Sequence, residues 1–159
     1  RFGTRCYNIS KLLNMIEFSI NKPEKDKEYI KRPGAYGAIK NADGLVAIIK
    51  TKTGYFLPGG GIEKDESPVE CLKRECLEEI GATISELNHF ASGNYYFFST
   101  TLNVNMESIG HFFTCKIDEF LKIKTENDHE LIWMRLEEVI PILYLENQRE
   151  AMEIFKQNY

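Results

Sequence analysis

Residues 59–82 read GGGIEKDESPVECLKRECLEEIGA, and this stretch decides the fold. From Pro68 to Ile80 it carries every mark of one short helix. Ser67 stands at the N-cap, Pro68 at the first helical position, and Glu70 three residues after the cap, a capping box with the favoured proline. Gly81 supplies the stop. At 100° per residue, Val69, Leu72, Cys76 and Ile80 gather on one stripe, which the pattern predicts as the buried face. Glu75, Glu78 and Glu79 share the neighbouring arc. Like charges at that spacing weaken an isolated helix by a few tenths of a kcal/mol per pair, so something must offset them. Arg74 is four residues from both Glu70 and Glu78 and is one candidate. A hard divalent cation is the other, because Mg²⁺ and Mn²⁺ favour oxygen ligands. The glycines just before the helix let a backbone approach a ligand closely. On three glutamates alone, a solvated helix face is the simpler reading; the joint spacing of loop and helix is what points to a metal-bound phosphate.

Upstream, Ala35–Lys40 and Leu45–Lys50 flank Asn41-Ala42-Asp43-Gly44, a strong turn signal, and are expected as a strand hairpin. Tyr55–Leu57 reads as a short strand, and Pro58–Gly61 as a stretch that prevents regular structure. Residues Arg1 to Pro33 form an N-terminal extension in which Met15–Ile20 alternates as a half-buried strand does. Residues 21–32 are rich in Lys and Glu and read as a solvated connection. Downstream, strands are expected near Thr83–Phe98, Ile109–Ile117 and Leu131–Leu136. Glu146–Gln157 is expected as a terminal amphipathic helix packing Ala151, Ile154 and Phe155.

Composition bounds the function. The chain has 159 residues, 43% hydrophobic and 28% charged, enough for one domain with a real apolar core. No apolar run approaches the roughly 20 residues of a membrane helix. Twenty Lys+Arg against 24 Asp+Glu give a formal charge of −4, which disfavours broad binding to nucleic acid. Cys6, Cys71, Cys76 and Cys115 form no metal-like pair and are expected as free thiols in a reducing cytoplasm.

The stretch resembles the Nudix box of the Nudix (MutT-like) hydrolases, G-x5-E-x7-R-E-U-x-E-E-x-G-U, with U a bulky aliphatic residue. Here Gly60 precedes Glu66, and Arg74-Glu75-Cys76-Leu77-Glu78-Glu79-Ile80-Gly81-Ala82 completes the pattern. Cys76 and Ala82 depart from it at two U positions, where packing rather than chemistry is affected. Leu136-Glu137-Glu138-Val139 after Trp133 is similar to a common family ending. The resemblance implies an α/β Nudix fold, a mixed sheet sandwiched between helices, across residues 1–159 as a single domain. It implies a Mg²⁺- or Mn²⁺-dependent hydrolase that cleaves a diphosphate bond in a nucleoside diphosphate-linked or nucleoside triphosphate substrate. By the same resemblance, Glu75, Glu78 and Glu79 hold metal, Gly59 supplies a carbonyl ligand, and Arg74 and Glu66 orient the glutamates. One further acid outside the box is expected in the loop 126–130, where Glu126 is preferred and Glu130 is its rival. His129 is expected to be structural or a substrate contact, and His89 and His111 structural.

Two alternatives stand beside this reading: a non-catalytic Nudix-fold nucleotide-binding module, and a pyrophosphohydrolase of RNA 5′ ends. The second would draw on a local basic patch within residues 22–32. For substrate choice, Tyr96 stands where related ADP-ribose hydrolases often carry a proline. The run Tyr95-Tyr96-Phe97-Phe98 is expected to fill a core more readily than to stack a base. The extension is expected to form either a homodimer contact or an extra edge strand.

Overall fold

A computed structural model describes residues 3–10, 15–122 and 126–159. Residues 1–2 and 11–14 of the expected extension lie outside the described residues. The strands are β1 (Arg5–Ser10), β2 (Met15–Ile20), β3 (Ile30–Ile39), β4 (Val46–Lys50), β5 (Tyr55–Phe56), β6 (Gly59–Gly61), β7 (Ala82–Ser99), β8 (Val104–Phe120) and β9 (Glu130–Met134). The helices are α1 (Pro68–Ile80), α2 (Leu136–Val139) and α3 (Glu146–Asn158). Six strands form a mixed sheet in the order β1-β2-β7-β8-β3-β6, and β5-β4-β9 form a second sheet.

The sheet is sandwiched as the fold class requires. On one face Leu72 and Cys76 of α1 pack on Ala35, Ile39, Ile84 and Phe113. On the other, Ala151, Met152, Ile154 and Phe155 of α3 pack with Phe18, Phe90 and Phe112. The helix marks of the sequence are realised in detail. Glu70 N donates to Ser67 Oγ at 3.2 Å, Ser67 N donates to Glu70 Oε2 at 2.8 Å, and Gly81 closes the helix at φ 64°. The buried stripe is shifted from the expected one: Val69 lies at the surface, and Cys71 is buried in its place.

Three further expectations are corrected. The hairpin turn forms, with Asn41 Oδ1 accepting from Asp43 N and Leu45 N, but its two arms part after a single Lys40–Val46 bridge. Both edges of β3 are already taken, by β8 along its length and by β6 at Gly34–Tyr36, so β4 joins the other sheet. Second, Gly59–Gly61 is a strand rather than irregular. Its backbone lies so close to β3 that a Cβ on Gly59 would collide with the Ala35 carbonyl, and its φ of 138° suits glycine alone. Third, the extension ends earlier than Pro33, because β3 begins at Ile30. Before that point, β2 adds to β7 in parallel and β1 becomes a sheet edge. Arg5 Nε pairs with Glu150 Oε2 at 2.7 Å, and the Tyr7 hydroxyl donates to the same carboxylate, fastening β1 to α3.

No described helix is long and apolar enough to cross a membrane. All four cysteines are free thiols, as expected.

Candidate functional site

Helix α1 lies against β6, and its acidic arc faces the glycine strand and the loop before β9. Arg74 organises this arc. Its guanidinium grips Glu66 through Nε at 2.6 Å and Nη2 at 3.1 Å, and reaches Glu75 at 2.9 Å and Glu78 at 3.2 Å through Nη1. Nη2 also donates to the Gly61 carbonyl at 3.0 Å, tying helix to strand. Of the two partners the sequence offered, Glu78 is used; Glu70 is occupied by the capping box. Arg74 holds Glu66 at about 2, well below the usual carboxylate range.

Glu79 is the deeply placed member, only 3% exposed. Gly59 N donates to its Oε1 at 2.8 Å, and His129 Nδ1 lies 2.8 Å from its Oε2. Burial pushes Glu79 up to about 7, against the opposing pull of the Gly59 amide and of His129. Burial also raises Glu75, with Arg74 opposing it and Glu126 and Glu78 adding to the rise. Like charges are thus gathered in a place where each is costly to ionise alone.

The loop before β9 completes the cluster. Glu126 N donates to the Glu78 carbonyl at 3.1 Å, fixing that loop on α1. Glu126 Oε2 lies 2.9 Å from His129 Nδ1, and this buried oxygen receives no hydrogen bond among the described residues. Among the described residues two overlapping groups that could hold an ion result, Glu75–Glu78–Glu126 and Glu79–Glu126–His129, each with ligand atoms within 4.8 Å of one another. A buried carboxylate oxygen that receives no hydrogen bond among the described residues, beside carboxylates raised by burial, fits a hard cation, which would supply positive charge there.

The structure brings Glu66, Arg74, Glu75, Glu78, Glu79, Gly59 and Glu126 together. Glu130 is exposed and belongs to neither ligand set. For Gly59 the engaged group is the amide, donating to Glu79. His129, expected to be structural or a substrate contact, stands between Glu79 and Glu126, and the Glu126-x-x-His129 spacing, which sets a carboxylate and an imidazole on one turn, was the available signal for that contact. Gln148 of α3 was missed altogether. Its Oε1 accepts from Leu57 N at 2.8 Å and so holds the strand that leads into the glycines. Tyr36 was missed too; its buried hydroxyl lies within the electrostatic reach of Glu75 and Glu79 and is raised to about 12, chiefly by burial. His89 and His111 stand apart from this site and share Ser92 Oγ, at 2.9 and 3.2 Å.

A family model described as "NUDIX domain" matches residues 30–156. Nudix hydrolase 21, chloroplastic, of Arabidopsis thaliana is 32% identical over 112 residues, 70% of this chain and 54% of the relative. The chain thus spans about half the length of that curated relative. Among solved structures, a Nudix hydrolase from Nitrosomonas europaea superposes with a TM-score of 0.63 at 16% identity, covering 80% of this chain and 90% of that one. A MutT protein from Methanosarcina mazei Go1 gives 0.60 at 23% identity, covering 82% and 96%.

Proposed function

The chain belongs to the Nudix hydrolase family, and from that premise we propose that it is a divalent-metal-dependent pyrophosphohydrolase acting on a small nucleotide-type substrate. One observation carries this reading. Glu75, Glu78 and Glu79 of α1 converge with Glu126 from a distant loop into two ligand sets that share a carboxylate.

In this reading Glu75, Glu78, Glu79 and Glu126 hold Mg²⁺ or Mn²⁺, with the Gly59 backbone beside them. The bound cation supplies charge neutralisation for the phosphates and a lowered pKa for the attacking water. The chain's own residues do the rest. Arg74, itself clamped by Glu66, positions Glu75 and Glu78 through one guanidinium nitrogen. The Gly59 amide and His129 fix the two oxygens of Glu79 in separate directions. A carboxylate of the set takes the proton of the water, which needs only hydrogen-bond reach and a matched pKa. Arg74 and Glu66 are therefore positioning residues. The four free cysteines accord with a reducing, cytoplasmic compartment.

The test is phosphate release from nucleoside triphosphates, nucleotide sugars, dinucleoside polyphosphates and capped RNA, each with Mg²⁺, with Mn²⁺ and with EDTA. Metal-dependent turnover that vanishes in Glu79→Gln supports the reading. Nucleotide binding without turnover, in protein shown to bind metal, overturns it in favour of a binding module.

A further inference from the structure

The two groups that could hold an ion share Glu126 but differ in chemistry. Glu75–Glu78–Glu126 offers oxygen alone, and Glu79–Glu126–His129 adds an imidazole nitrogen. Oxygen-only sets suit Mg²⁺, whereas a nitrogen donor favours the first-row transition ions. His129 either stands as a ligand or merely bonds to its neighbours, and three features of the fold favour the first.

One ring nitrogen faces two carboxylates. His129 Nδ1 lies 2.8 Å from Glu79 Oε2 and 2.9 Å from Glu126 Oε2. A ring nitrogen carries at most one proton, so it can donate to one of these oxygens and not to both. The contact with Glu79 has hydrogen-bond geometry. Glu126 Oε2 is buried and receives no hydrogen bond among the described residues. Hydrogen bonding thus accounts for one contact and leaves the other unexplained. A cation accounts for both, because octahedral ligands about 2.1 Å from an ion stand roughly 3 Å from their neighbours.

The donors are also held from separate elements. The Gly59 amide occupies Glu79 Oε1 at 2.8 Å, which leaves Oε2 turned toward the imidazole. Glu126 is fixed by its own amide, which donates to the Glu78 carbonyl of α1 at 3.1 Å. His129 directly precedes β9, whose first residue, Glu130, pairs with Lys50 of β4. Charge gives the third feature. Arg74 serves Glu66, Glu75 and Glu78, and among the described residues it bonds neither Glu79 nor Glu126. Two ionised carboxylates and a neutral imidazole carry the charge that one divalent cation cancels.

We infer that His129 is a metal ligand, and that Glu79, Glu126 and His129 form a mixed nitrogen–oxygen site that prefers a first-row transition ion to Mg²⁺, beside an all-oxygen site suited to Mg²⁺. The inference rests on the metal-dependent reading above and names the ion chemistry of the same cluster. It replaces the structural or substrate-contact role expected of His129 from the sequence.

The test needs no substrate. The full chain is loaded with Mn²⁺ and examined by pulsed electron paramagnetic resonance for coupling to a ligated imidazole nitrogen. Coupling is expected in the parent protein and in His89→Ala, and is expected to vanish in His129→Ala. Calorimetric titration of His129→Ala should show Mn²⁺ binding weakened at least about tenfold, with Mg²⁺ binding within about threefold of the parent. His129→Glu, which offers oxygen in place of nitrogen, should keep Mn²⁺ bound without nitrogen coupling and narrow the preference for Mn²⁺ over Mg²⁺. The parent spectrum decides even where a variant fails to fold. Bound Mn²⁺ without nitrogen coupling overturns the inference and leaves the hydrolase reading standing. So does coupling that persists in His129→Ala, or an equal loss of Mn²⁺ and Mg²⁺ binding. Nitrogen-coupled Mn²⁺ in a protein that turns over no nucleotide upholds the site while the hydrolase reading fails. Absence of Mn²⁺ binding overturns both.

Discussion

The carboxylate cluster and the ring-lined cleft of about 680 Å³ between Tyr95–Phe98 and the segment bearing Lys22 and Tyr29 lie on one sheet but are assembled in opposite ways. The cluster draws most of its groups from 14 consecutive residues, Glu66 to Glu79, and a single guanidinium holds three of its carboxylates. The cleft draws its walls from segments near Thr4, Lys22, Tyr96, Asn105 and Glu146, joined only by tertiary pairing. The first concentrates charge under partial burial. The second offers ring surface at moderate exposure. Chemistry that depends on charge density is thus built locally, where helix geometry fixes the spacing. The ring-lined surface is built at long range, where sheet registry fixes it.

Substitutions can separate the two. The largest effect is expected at Glu79: Glu79→Gln should lower kcat about 10²- to 10⁴-fold, while metal-free stability at neutral pH is unchanged or improved, because a costly buried charge is gone. Stopped assays and denaturant titration of the same preparation check both halves. Next, one methyl group distinguishes the regions. A Cβ at Gly93 would penetrate the Phe18 ring, so Gly93→Ala should cost about 1–3 kcal/mol by prising β2 from β7. A Cβ at Gly60 would sit 2.5 Å from Glu75 Cδ, at the far end of a flexible side chain. Gly60→Ala should therefore spare stability to within about 1 kcal/mol yet lower turnover by up to about 10²-fold, through a displaced carboxylate. If both variants unfold alike, the contrast between the regions fails.

Acidity provides a finer probe. The folded-state pKa of Glu79 stands at about 7 against an ordinary 4.5, so the folded protein holds this proton more tightly than the unfolded chain. Stability contributed by the protonated form is present below 4.5 and is lost as pH rises toward 7. Thermal melts in EDTA should fall across that window, and Mg²⁺ should flatten the slope by binding the ionised cluster. Identical slopes with and without Mg²⁺ would count against a cation at Glu79. The smallest effect is expected at the helix cap: Ser67→Ala should cost about 1 kcal/mol, with kcat unchanged if the first turn of α1 merely supports the cluster.

What could be read in advance follows the same divide. The ends of α1, its capping box and the relative places of Arg74, Glu75, Glu78 and Glu79 were legible because each depends on residues at most four apart on one helix. Glu126 was preferred on its distance from Trp133, and the structure places it in both ligand sets while leaving Glu130 outside. Misreadings arose where a neighbour had to be known. The glycine strand was read as irregular, since nothing in three glycines announces the β3 backbone beside them. The arms of the Asn41–Gly44 turn were read as paired, since β8 and β6 had not yet claimed both edges of β3. The aromatic run was assigned to a core, and of it Tyr95 does pack on the core beside α3 while Phe98 stands 54% exposed, because strand periodicity shows which residues share a face but not how much of that face is covered.

The sequence by itself therefore determined the helix, its acidic arc and the motif that marks the family, because rotation per residue, capping and residue spacing are local features. Only the tertiary structure decided that Glu79 is buried between the Gly59 amide and His129. Only it set the loop of Glu126 on α1 and made one cleft of the lysine segment and the aromatic run. Those outcomes depend on which strands pair and in what register, a choice made by the whole apolar core at once and encoded in no single stretch of the chain.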